Sequence, residues 1–150
     1  MAKKALLGLA ALVGGSALYD RYRTSLHDRV VKQTFNTVDR HTDESASIYV
    51  DHVDDEVDAD GNAQGVLDTA QVPDLIVEGF DNKNLIVEVD TAEALEDDLV
   101  DCAAQIRDFA MPGYKRVLVT DDTVVGEKFV DEQGLDGVAV ATSSSVRQYL

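Results

Sequence analysis

Residues 72–92 read Val-Pro-Asp-Leu-Ile-Val-Glu-Gly-Phe, then Asp-Asn-Lys-Asn, then Leu-Ile-Val-Glu-Val-Asp-Thr-Ala. Two short runs rich in β-branched residues, Val72 to Phe80 and Leu85 to Asp90, flank the turn-forming stretch Asp81 to Asn84. That pattern predicts a β-hairpin. Directly after it, Leu95, Leu99, Cys102, Ala103, Ile106 and Phe109 recur at helical spacing, predicting a helix over Ala92 to Ala110. Glu93, Glu96 and Asp97 load its first turn, where the helix dipole favours anions, and Met111-Pro112-Gly113 ends it.

Outward from this centre the same reading continues in both directions. Downstream it predicts a strand over Arg116 to Thr120, a helix from Thr123 to Gln133 closed by Gly134, a strand over Gly137 to Thr142 and a last turn within Ser143 to Leu150. Upstream it predicts a helix from Thr24 to Arg40, with Leu26, Val30, Val31, Phe35 and Val38 on one face. An edge strand over Ser47 to Val53 follows, then an acidic loop from Asp54 to Thr69. An antiparallel start followed by β-α-β crossovers implies an α/β fold, a mixed central sheet flanked by helices. The chain therefore divides into an apolar N-terminal helix, residues 1–23, and one domain, residues 24–150.

Charge sets the solution setting. The chain carries 29 acids against 13 bases, a net −16, with Asp far more frequent than Glu. Such a surface repels itself and any polyanion in dilute buffer. In molar salt, where screening acts over about 3 Å, that repulsion largely disappears. Abundant Val and Ala, scarce Lys and no Trp complete the profile expected of a halophile's protein or its virus's. With 45% apolar residues the acidity is not a sign of disorder. The single cysteine, Cys102, excludes an internal disulfide framework and falls on the apolar side of its helix, as a small core residue.

Lys3 and Lys4 precede an apolar run from Ala5 to Tyr19. Fifteen helical residues reach about 22 Å, short of a hydrocarbon core near 30 Å. Ala10/Gly14 and Ala11/Gly15 are small-xxx-small pairs that let helices approach closely. Three readings stay open: a packing or self-association helix through residues 5–19, a membrane anchor, or a signal with small residues at Gly15-Ser16-Ala17.

Asp74 opens one strand of the hairpin, and Glu88 and Asp90 close the other on a shared face, because strand side chains alternate with period two. Three carboxylates converging at a strand end suit Mg²⁺ or Mn²⁺, which take hard oxygen ligands. Such an ion can polarise a phosphodiester and activate water.

In Pro73-Asp74, Glu88-x-Asp90 and the helix from Ala92, the chain resembles the PD-(D/E)xK nuclease superfamily, which includes archaeal Holliday-junction resolvases and restriction-type enzymes. The resemblance covers residues 24–142 in element order and residues 73–91 in motif. It implies a restriction-endonuclease-like fold, with Asp74 and Glu88 as metal ligands and the Val89 carbonyl beside them. It also implies a lysine at position 90, where this chain has Asp90. Lysine migrates in such families, and by position Lys83, Arg107 and Lys115 are the candidates to replace it. Asp28 is the nearest match to the acid that the family often has on its first helix. Read locally, Asp90-Thr91-Ala92-Glu93 is a capping box, with Asp90 or Thr91 as the cap.

Other signals carry less. Asp58 to Asn62 fits neither register of an EF-hand loop. His27, His41 and His52 have no zinc spacing and read as ordinary surface or core histidines. No Walker or Rossmann glycine pattern is present, and the basic residues are scattered rather than gathered in a patch.

The expectation is a catalytically degenerate nuclease-fold protein, a structural or interaction component of a halophilic assembly, either a membrane-associated complex or a virus particle. It would lie on the cytoplasmic side of a high-salt cell, at a membrane or in a virion, with protein partners or copies of itself. The alternative is a Mg²⁺-dependent DNA endonuclease, the case in which nucleic acid is the partner. A basic groove beside Asp74 and Glu88 would favour the enzyme, and an acidic or apolar one the interaction protein.

Overall fold

The computed structural model describes residues 15–51, 58–81 and 83–150, with side chains in the first helix described from Ser25 onward. The elements, in chain order, are α1 (Gly15–His41), β1 (Ser47–Val50), β2 (Gly61–Asn62), β3 (Leu75–Phe80), β4 (Lys83–Val89), α2 (Ala92–Asp97), α3 (Leu99–Asp108), β5 (Lys115–Val119), α4 (Thr123–Glu132), β6 (Val138–Ala141) and a 3₁₀ turn (Ser145–Tyr149). Among the described residues the strands form one mixed sheet in the order β2-β1-β3-β4-β5-β6. β3 runs antiparallel to both β1 and β4, while β4, β5 and β6 are parallel to one another through helical crossovers. The α/β class and the mixed sheet flanked by helices are as the patterning implies.

β4 sits at the centre, and its residues from Leu85 to Val89 are buried on both faces. That double burial is why it reads as a continuous apolar run rather than an alternating one. Leu85, Val87 and Val89 face a core shared with β1, β3, β5 and Val30, Val31, Phe35 and Val38 of α1. On the other face Leu118 meets Leu95, Cys102, Ala103 and Ile106 of α2 and α3 and Phe129 of α4. The apolar stripe of α1 includes two buried threonines, and neither leaves its hydroxyl unsatisfied. Thr34 donates to the Val30 carbonyl at 2.7 Å and Thr37 to that of Gln33 at 3.1 Å.

Four local expectations change. α1 runs from Gly15 to His41, starting ahead of the expected Thr24. Residues 5–14 of the apolar run, and with them most of the small-residue pairs, lie outside the described residues, as does His52. No described helix is long and apolar enough to cross a membrane. Second, the acidic loop contributes β2, which pairs with β1 in parallel and makes β1 an interior strand. Asp60 explains the attachment: its carboxylate accepts from the Ile48 N–H at 2.7 Å while its own N–H donates to the Ile48 carbonyl at 2.8 Å.

Third, the helix over Ala92 to Ala110 is two helices, broken at Asp98 (φ −118°, ψ 35°). Its apolar spacing continues through the break, so periodicity alone does not reveal it. Fourth, Thr91 is the N-cap of α2, its hydroxyl accepting from the Ala94 N–H at 3.2 Å. Asp90 is thereby released from the capping role, and Glu93 stands one position short of the residue a box on Thr91 would use.

Gly126 sets the distance between α4 and the sheet. A Cβ there would lie 2.7 Å from Val140 Cγ1 and 2.9 Å from Thr120 Cγ2, both on short, stiff side chains. No larger residue fits without moving the helix.

Candidate functional site

Asp74 immediately precedes β3, and Glu88 is the penultimate residue of β4. Leu75 pairs with Val87, so Asp74 and Glu88 face each other one step further along the same register. Their carboxylates engage the opposite strand's backbone. Asp74 Oδ2 accepts from the Val89 N–H at 2.8 Å, and Glu88 Oε1 accepts from the Asp74 N–H at 3.3 Å. Both side chains are buried, at 8% and 6% exposure. The pairing of two acids inside the protein needs a compensating cation.

His27 supplies it. Its Nε2 lies 3.2 Å from Asp74 Oδ1, and its Nδ1 lies 3.3 Å from Asp28 Oδ1. Burial works against a charged imidazole, yet hydrogen bonding and charge from Asp74, with Asp28 behind, raise the His27 pKa to about 9. Asp74 is opposed by burial but held below the ordinary carboxylate range, by His27 first and then by Glu88 and the Val89 N–H. Glu88 goes the other way: burial and the neighbouring Asp74 charge push it well above its usual value. These opposed shifts favour a charged Asp74 against an imidazolium and favour the protonated form of Glu88.

Asp90 follows β4 and continues its pairing, donating its N–H to the Val119 carbonyl at 3.0 Å. Its side chain leans on the Cys102 thiol, and its Oδ2 is buried without a hydrogen-bond partner. Burial first, then the charge on Asp74, pushes Asp90 up to about 7. Cys102 is buried as its place in the helix predicts, its Sγ 3.7 Å from the Ala94 carbonyl. Burial and Asp90 lift its thiol to about 12, so it is no nucleophile at neutral pH.

Beside Asp90 opens a cleft of about 750 Å³, lined by Ala70, Gln71, Asp90, Ala94, Asp98, Asp101, Cys102, Ala104, Gln105 and Asp108. Every charged residue of that lining is an aspartate. The candidate replacement bases lie elsewhere. Lys83 and Lys115 begin β4 and β5, at the opposite end of the sheet. Arg107 donates to the Gln133 carbonyl at 2.8 Å.

Asp74 and Glu88 thus come together across the hairpin, Asp90 acts on them by charge from the end of the same strand, and Asp28 reaches the group through His27. The residue missed in the sequence is His27. Its signal was present, since it stands three and four positions before Val30 and Val31 and therefore on the buried stripe of α1. An ordinary core histidine would show the same spacing, and only the packing of α1 on the sheet end separates the two.

The donor chemistry suits a hard divalent cation, since buried carboxylates stand close together and Asp90 Oδ2 is unsatisfied. Among the described residues, however, no three His, Cys, Asp or Glu side chains are already set as ligands. Both Asp74 oxygens are engaged, one by His27 and one by Val89. Asp74 and Glu88 would hold such an ion, with His27 drawn off Asp74 or joining them. Comparison with family models, with curated proteins and with solved structures found no match to this chain.

Proposed function

We propose that this chain is a catalytically silent member of the PD-(D/E)xK nucleases that works through contacts with other proteins in a high-salt setting. The observation that carries this reading is position 90. A nuclease of this design needs a base there to position the attacking water, and here an aspartate with one buried, unpaired oxygen lines a cleft whose charged residues are all aspartates. Such a cleft repels a phosphodiester rather than seating it. The element order supports the fold part of the reading: α1, the antiparallel β1-β3-β4 set, a helical crossover and parallel β5 and β6.

A divalent ion held by Asp74 and Glu88 would supply charge neutralisation at the sheet end. The family's nucleases use such an ion to polarise the phosphate and its attacking water. In this chain His27 lies against Asp74, and burial beside Asp74 favours the protonated form of Glu88. The apolar N-terminal run provides a means of tethering the domain to a membrane, to an assembly such as a virus particle, or to another copy.

The pairing of Asp74 with Glu88 keeps a second reading in play, a Mg²⁺- or Mn²⁺-dependent deoxyribonuclease. The test is direct. The purified chain in molar KCl with either ion should leave duplex, branched and single-stranded DNA intact. Metal-dependent cleavage that Asp74→Ala abolishes would replace the silent reading with the enzymatic one.

A further inference from the structure

The cleft beside Asp90 has the size of a ligand pocket rather than of an ion site. Asp90, Asp98, Asp101 and Asp108 line it, and Ala70, Ala94 and Ala104 leave its walls open. Asp108 also fixes one rim, its Oδ2 accepting from the Gln71 N–H at 2.8 Å. The second, independent observation is the orphaned oxygen. Asp90 Oδ2 is buried and has no hydrogen-bond partner, in a side chain that itself lines the cleft. A buried acceptor left without a donor is destabilising, and a ligand that donates to it removes that penalty.

From this geometry we infer that the cleft is a docking site for a lysine-bearing segment of a partner protein, whose ammonium group reaches Asp90 between Asp98 and Asp101. The inference rests on the reading of the domain as an interaction module and names the chemistry of its partner. Charge complementarity selects a cation, and an ammonium at the end of a four-carbon stem reaches a recessed carboxylate with three donors. Gln71 and Gln105, both on the lining, add side-chain amides that can donate to and accept from peptide groups. A segment of chain therefore fits the whole cleft, where a lone ion meets only its floor.

The experiment uses the full chain in molar KCl, which screens non-specific attraction. A fluorescent alanine-rich peptide with one central lysine is titrated beside its norleucine counterpart. The lysine peptide should bind saturably and the norleucine peptide should not. Asp90→Asn and Gln105→Lys should each weaken binding at least about tenfold, since one removes the buried partner charge and the other places a cation in the cleft. Asp131→Asn, on α4 and outside the lining, should leave it unchanged. If Asp90→Asn does not fold by circular dichroism, Gln105→Lys decides alone. Equal binding of the two peptides, an equal loss in Asp131→Asn, or undiminished binding by Gln105→Lys would overturn the inference. So would spermine binding the same Asp90-dependent site more tightly than the peptide, which would make it a polyamine site. Cleavage of DNA by the same preparation would remove the silent-nuclease reading while leaving the peptide result to stand.

Discussion

The two ends of the sheet treat charge in opposite ways. At the end where β4 and β5 begin, cations reach carbonyls: Arg116 donates to Ile106 at 2.8 Å and to Asp136 at 3.0 Å, and Arg107 donates to Gln133 at 2.8 Å. These are last-turn and post-helix carbonyls of α3 and α4, the negative ends of their dipoles. Tyr114 adds a hydrogen bond to Glu78 there. At the other end, parallel crossovers bring helix N-termini, and acids gather. Asp121 accepts from the Ala92 N–H at 2.7 Å, Asp122 caps α4, and Asp74, Glu88 and Asp90 lie beneath. Arg107 and Arg116 serve the first end, and at the other the cation seen against the buried acids is His27.

The largest effect that would break this contrast is loss of the one internal cation described at the acidic end. His27→Ala leaves Asp74 buried beside Glu88, and the unfolding free energy from urea denaturation in molar KCl should fall by about 2–3 kcal/mol. That is below the usual cost of breaking a buried pair, because the imidazole is partly exposed. Adding Asp74→Asn should recover part of the loss. An unchanged midpoint would show that His27 does not compensate the acids.

A steric control lies between the ends. Gly126→Ala should cost about 1–3 kcal/mol, because its Cβ meets Val140 and Thr120 below 3 Å. The cost should be the same at low and high salt, unlike that of His27→Ala.

Protons give a third test, made in chelator. His27 has a folded pKa raised to about 9, so its stabilisation is complete below about 6.5 and disappears as pH rises through 9. Asp90, pushed up to about 7, acts in the same direction, because the folded state holds its proton more tightly than the unfolded chain does. Stability should therefore decline from pH 6 to pH 9. A rise over that range would contradict the charge assignment at this end.

The smallest effect belongs to the basic end. Arg116→Met removes two carbonyl bonds while keeping most of the stem, and about 1 kcal/mol should be lost. A loss as large as that of His27→Ala would mean that the ends are not energetically distinct. The whole chain should also show a denaturation midpoint that climbs from dilute to molar KCl as carboxylate repulsion is screened. A flat midpoint would remove the high-salt setting.

Local pattern determined much of this protein. β-branched runs around Asp81 to Asn84 specify the hairpin, and the spacing of Val30, Val31, Phe35 and Val38 specifies the buried face of α1. Period two alone places Glu88 and Asp90 on one side of β4. Each depends on neighbours in the chain, and such neighbours are visible in a sequence. Three features were decided only by the folded structure. The break at Asp98 interrupts a helix whose apolar spacing continues through it. β2 exists because Asp60 finds Ile48, twelve residues away. His27 becomes the counter-ion of Asp74 across forty-seven positions because α1 lies against the end of the sheet. Charge compensation in a buried site depends on distance in space, which falls off steeply over a few ångströms, and sequence separation carries no record of it.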